Sequence, residues 1–268
     1  MTNKNSIFKL VMALAAACIL IPVILMAVCA FTSRWQWPDL LGESFSLRGF
    51  EEVFINNVQS FRILISSVFI SMAAALFATI IGYMSAQAFS MYDFPLKKWL
   101  HFGSMLPIII PSSVFAMGIH VYFIKWGIND SITGILIGHV LYCLPYTVNI
   151  LGDSREALGN KYEQQAMMLG CNSFMAFFHI TLPLMIPSVI SAFSMAYIIS
   201  FSQYFITMLL GGGVVKTYAV FVFPLISAGD RTIAGAYTLV FLLSSLLIFI
   251  LFEGVIKFIV KKIVSAET

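Results

Sequence analysis

The chain has 268 residues, of which 60% are apolar, 15% aromatic and 10% charged, and its mean hydropathy is +0.95. Soluble domains carry roughly 45–50% apolar and about 25% charged residues, so a water-soluble globule and a disordered tail are both excluded. Apolar runs of about 20 residues exclude an alternating β-barrel too, and a net charge of +3 reads as membrane-topology bias before nucleic-acid binding.

The expected fold is an all-α polytopic membrane protein with six transmembrane helices, at residues 10–33, 63–92, 99–124, 131–152, 180–215 and 232–252. Each is free of charge and long enough to cross about 30 Å of hydrocarbon. Lys4 and Lys9 before the first run imitate a signal peptide, but the run is too long and no clean cleavage site follows Ala30, so it is read as a retained span. With the N-terminus inside, the inner segments hold Lys4, Lys9, Lys97, Lys98, Arg155, Lys161, Lys257, Lys261 and Lys262. The outer ones hold Arg34, Arg48, Arg62, Lys125, Lys216 and Arg231, partly cancelled by Asp39, Glu43, Glu51 and Glu52. That excess of inner positive charge places both termini in the cytoplasm.

The connections differ in character. Residues 34–62 form an outer loop with Trp35 and Trp37 suited to the interface. Residues 92–98 turn tightly around Pro95, and residues 125–130 form a short outer turn. Residues 211–231 form an outer loop that opens on three glycines, and Pro107, Pro111 and Pro145 read as kinks within spans. No repeat or soluble domain interrupts residues 1–268, so a single membrane domain is expected, with nothing that binds or hydrolyses a nucleotide. Cys18, Cys29, Cys143 and Cys171 lack C-x-x-C spacing and read as small fillers. His101, His120, His139 and His179 are scattered without ligand spacing, so no metal site is expected.

The informative segment is residues 153–187, DSREALGNKYEQQAMMLGCNSFMAFFHITLPLMIP. Its apolar spacing predicts a short helix, a turn at Gly170 and a second helix. Asp153 or Ser154 is placed to cap the first helix, and Asn172 or Ser173 the second. Patterning alone fits two readings equally: a helical hairpin at the inner surface, or an amphipathic helix lying in the headgroups.

This segment resembles the signature loop of the permease subunits of binding-protein-dependent ABC importers: E-A-A, three residues, Gly, nine residues, then I-x-L-P. Ala166, Gly170, Ile180, Leu182 and Pro183 fall at the matching spacings. Gln164 stands at the motif glutamate and Gln165 at its first alanine, while Glu163 offers a carboxylate one residue early. The resemblance implies a cytoplasmic coupling-helix hairpin, between the fourth and fifth spans, that docks in a cleft on a separate ATPase. Ala166 would keep the docking face low, Gly170 would turn where a side chain would not fit, and Phe174, Phe177 and Phe178 would anchor the second helix. The implied partners are an ABC ATPase dimer, which binds the ATP, a second permease subunit (identical or different) and an extracytoplasmic solute-binding protein. The implied location is a bacterial inner membrane. The chain itself would be non-catalytic and free of cofactors.

Near the middle of the fifth span lie Ser202, Gln203 and Tyr204. As a continuous helix, it would place Ser202 and Phe205 on one face with Gln203 and Tyr204 flanking. Polar groups at that depth either line a solute path or hydrogen-bond between helices, and both readings stand. The segment is similar to importers of polyamines, iron(III) and thiamine, although no span centre carries the carboxylate that a polyamine would favour. The competing class, an ATP-independent secondary transporter or channel, would show inverted repeats or intramembrane ionisable groups. A membrane enzyme would need a catalytic pair, and none is visible.

Overall fold

The first apolar run folds as α1 (Thr2–Ala30). The computed structural model describes the backbone of residues 2–33 and 44–266, and the side chains of residues 8–33 and 44–259. Arg34, Trp35, Trp37, Asp39 and Glu43, and the side chains of Lys4, Lys261 and Lys262, therefore lie outside the described residues. The short helix α2 (Arg48–Glu51) runs on as a π-helical turn, Glu52–Asn56. It is followed by the long α3 (Val58–Met91).

The third expected span is not continuous. It is two helices, α4 (Lys97–Ile109) and α5 (Ser112–Trp126), bent by 115°. Pro111 offers no N–H and forces Ile110 into an extended conformation, at φ −87° and ψ 133°, so α4 has to stop there. Pro107 and Pro145 stay inside their helices, as expected. Among the described residues, five helices are long and apolar enough to cross a membrane, or six if the bent pair counts as one span.

The fourth run forms α6 (Ile132–Leu158), opened by Ser131, whose hydroxyl accepts from the Gly134 N–H at 3.0 Å. This helix runs past the expected end at residue 152. Asp153 and Ser154 are thus inside it rather than capping the next helix, and the Ser154 hydroxyl bonds back to the Ile150 carbonyl. Next come α7 (Lys161–Met168), α8 (Ser173–Ala176), a π-helical turn at Phe177–Thr181 and α9 (Leu182–Phe201). The wide turn immediately precedes Pro183, which cannot donate to the preceding turn. α10 (Phe205–Leu210), α11 (Tyr218–Ser227) and α12 (Arg231–Ala266) complete the chain.

These elements form two compact units, Met1–Leu64 with Val220–Ser244, and Ile65–Ala219 with Ser245–Thr268. In the first, Arg48 pairs with Asp230 at 2.6 Å, and Asp230 also accepts from the Thr232 and Ile233 N–H groups that open α12. Gly49 lets the chain pass close to α12, because a Cβ there would lie 2.8 Å from Ala236 Cβ. In the second unit, α6 packs chiefly on α9 and is the most buried candidate span, whereas no residue in the most apolar stretch of α1 is buried. Gly82 brings α3 against α6: a Cβ there would overlap Thr147, whose hydroxyl donates to the Ala78 carbonyl at 3.0 Å.

Candidate functional site

The hairpin expected from the sequence is present as α7, a turn and α8. Two bonds close the turn, Cys171 N–H to Ala166 O and Gly170 N–H to Met167 O, both at 3.0 Å. This is a Schellman ending, with Gly170 in the left-handed position at φ +90°. Nothing lies within 4 Å of a Cβ built at Gly170, so backbone conformation demands the glycine here, not lack of room. The tip is apolar and open: Met168 is 87% and Leu169 90% exposed. Asn172 caps the second arm, accepting from the Met175 N–H at 2.7 Å. Of the three phenylalanines, Phe177 reaches α3, its ring 5.9 Å from that of Tyr83. Phe174 is exposed and touches Phe178, one turn on, at 4.7 Å.

Ala166 is half-buried, and Gln165 is exposed. Gln164, also exposed, lines a cavity of about 220 Å³ with Gln87, Asn160, Glu163, Met167 and Ser173. Ile180 sits in the π-helical turn, and Leu182 and Pro183 open α9, all half-buried. Glu163 faces inward. Its Oε1 lies 3.0 Å from the Arg155 guanidinium and accepts from the Thr181 hydroxyl. Arg155 is 1% exposed and also donates to Gln87 Oε1 at 2.6 Å, Asn160 Oδ1 at 3.0 Å and the Gly159 carbonyl. Asn160 therefore spends its side-chain oxygen on Arg155 and leaves α7 without a side-chain cap. Sequence reasoning counted Arg155 only as an inner positive charge. Its one local signal was a lone arginine eight residues ahead of a carboxylate, across a Gly-Asn turn.

The second group of candidates lies at a break. α9 ends at Phe201 and α10 begins at Phe205, so Ser202, Gln203 and Tyr204 are not on a helix and the expected helical face does not exist. The Ser202 hydroxyl and the Gln203 N–H each bond three residues back, at 3.1 and 3.2 Å, which tightens the last turn and ends it. His139 of α6 holds the two sides of this break. Its Nδ1 is 2.8 Å from the Ser200 hydroxyl and its Nε2 is 2.9 Å from that of Thr207. Thr207 donates its own proton to the Gln203 carbonyl, at 3.2 Å, which assigns the ring proton to Nε2 and leaves Nδ1 to accept from Ser200. Sequence reading took His139 only as one of four scattered histidines and did not link it to Ser200 or Thr207, because 61 and 68 positions separate them. After α10, Gly211 allows a tight turn: a Cβ there would lie 2.4 Å from the Val215 carbonyl oxygen.

A solved structure shares this fold. A chain in a crystal structure of a bacterial ABC transporter involved in the import of the acidic polysaccharide alginate superimposes with a TM-score of 0.66. The match covers 94% of this chain and 97% of that one at 17% identity, a likeness of fold. The putative 2-aminoethylphosphonate transport system permease protein PhnV of Salmonella choleraesuis (strain SC-B67) is 27% identical over 85% of this chain and 86% of its own length. The spermidine/putrescine transport system permease protein PotC of Haemophilus influenzae is 26% identical over 86% of this chain and 89% of its own. Residues 78–265, which include the hairpin, Arg155 and His139 with their partners, and the break, match the model of one family. The chain belongs to that family, the inner membrane components of binding-protein-dependent transport systems, and is a permease subunit of an ABC importer.

Proposed function

We propose that this permease subunit imports a small amine-bearing solute by ATP-driven alternating access, with the α7–α8 hairpin docked on a separate ATPase subunit. The observation that carries the docking is the hairpin tip, where Met168 and Leu169 stand open on a turn fixed by hydrogen bonds. Exposed apolar side chains on a rigid turn suit a partner's cleft. In this reading the hairpin and both termini are cytoplasmic, the assembly holds an ATPase dimer and two permease subunits, and a binding protein delivers solute from the other side. ATP binds to the partner. An amine-bearing solute is supported by the names of the relatives, since 2-aminoethylphosphonate, spermidine and putrescine all carry a primary amine. Ser202, Gln203 and Tyr204 are the proposed path residues, because non-helical backbone at membrane depth is tolerated only where it is buried in protein or lines a cavity.

The test is Leu169→Asp. The side chain is 90% exposed, so the change leaves folding intact and puts a charge on the docking surface. Membrane levels should match the parent, while ATPase co-purification and solute uptake should both collapse. Parental uptake with normal co-purification would overturn the docking assignment.

A further inference from the structure

We infer that Arg155 is the positioning residue that fastens the coupling hairpin to the spans, so that a push at the tip moves α3, α6 and α9 together. This rests on the proposed docking of the hairpin. The tip alone cannot transmit force. α7 is bounded by Gly159, at φ +62° and ψ −163°, and by Gly170 at φ +90°. The first is a conformation that essentially only glycine adopts, and nothing lies within 4 Å of a Cβ at either position. The Gly170 turn is closed by its two hydrogen bonds, so Gly159 is the joint at which an eight-residue helix would swing without dragging the bundle.

The guanidinium closes that joint. Its four hydrogen bonds run to Gln87 on α3, to Gly159 and Asn160 in the joint itself, and to Glu163 in the first turn of α7. Glu163 extends the clasp to Thr181, the last residue before α9. Only a planar fork can serve acceptors in so many directions; a lysine ammonium would have to abandon some of them. Burial makes the clasp stiff. Arg155 is 1% exposed, so its charge has no alternative partner in solvent, while Glu163, 19% exposed, keeps a small edge open to the cavity. Both Glu163 and the motif position, Gln164, line the cavity, but Gln164 is exposed while Glu163 is half-buried and bonded to Arg155 and Thr181. The carboxylate one residue earlier is thus committed within the chain rather than offered to the ATPase.

The experiment uses the full importer, with ATPase and binding protein, in proteoliposomes. Arg155→Lys keeps the charge and removes the fork, and Gln87→Leu cuts only the arm to α3. A cysteine at position 169 (Leu169→Cys), cross-linked to the ATPase, reports docking independently. Cross-linking and ATP hydrolysis should stay near parental levels in both variants. The number of solute molecules moved per ATP should fall on the order of tenfold in Arg155→Lys, and by less in Gln87→Leu. If Arg155→Lys fails to assemble, Gln87→Leu decides alone. A parental transport-to-hydrolysis ratio in an assembled variant would overturn the fastening role while leaving docking intact. Absence of the cross-link in the otherwise parental chain would overturn both.

Discussion

Two side chains of α6, about 24 Å apart along its axis, tie the helix to its neighbours by opposite means. Arg155, near the hairpin, is a buried charge held by four hydrogen bonds, one of them to a carboxylate. His139 is a neutral ring between two hydroxyls on either side of a helix break. The difference follows from what each must hold. The arginine gathers a flexible joint, a short polar helix and two longer ones, which needs many donors on one group. The histidine bridges two points of nearly fixed spacing, for which two ring nitrogens suffice. A charge at the histidine position would have no carboxylate to meet it, since its partners there are Ser200 and Thr207 alone.

The contrast breaks first at the charged clasp. Glu163→Leu would strand a guanidinium that is 1% exposed, and removing one partner of a buried pair costs about 3–5 kcal/mol. Thermal unfolding of the purified subunit in detergent should show a Tm drop larger than that of His139→Leu or Gln203→Leu. Glu163→Gln, which keeps an acceptor, should fall between it and the parent. A Leu variant as stable as the parent would mean that water or a neighbouring group satisfies Arg155, and the clasp would lose its meaning.

The neutral clasp should yield less. His139→Leu removes two hydrogen bonds but strands no charge, and Thr207 keeps its bond to the Gln203 carbonyl. Hydrogen bonds between membrane helices are worth about 0.6–2 kcal/mol each, so the loss should be clearly smaller than at Glu163. A double-mutant cycle with Thr207→Val isolates the bond across the break, because the two changes should be less than additive if they share it. Strict additivity would detach His139 from α10.

How much of this was legible depends on range. Gly170 and Pro183 act locally, one setting a left-handed turn and the other restarting a helix, and both could be read from spacing. The bend at Ile110 was also written locally, in the extended conformation that Pro111 imposes, but a proline in an apolar run reads equally well as a kink. The end of α6 was misplaced because Asp153 and Ser154 are good caps, and nothing nearby says that the helix continues beneath them. Arg155 to Gln87 and His139 to Ser200 were beyond reach. Those contacts depend on how helices pack, and a single sequence carries no trace of it.

The smallest effect on stability, and the most direct probe of the path, belongs to Gln203. It is half-buried, it lies off the helix, and its backbone carbonyl rather than its side chain receives the Thr207 hydroxyl. Gln203→Leu should therefore leave the clasp intact and the stability unchanged within about 0.5 kcal/mol. If the break lines the proposed path, solute uptake should fall while assembly and ATP hydrolysis persist, since leucine matches the glutamine in size but offers no polar contact. The result separates the two uses of a polar residue inside a membrane. A variant that unfolds would make Gln203 a helix–helix contact, and one that transports normally would leave the break as architecture alone. A folded, hydrolysing complex that fails to move solute would put the path at the point where α9 and α10 part, held open by the same His139 that joins them.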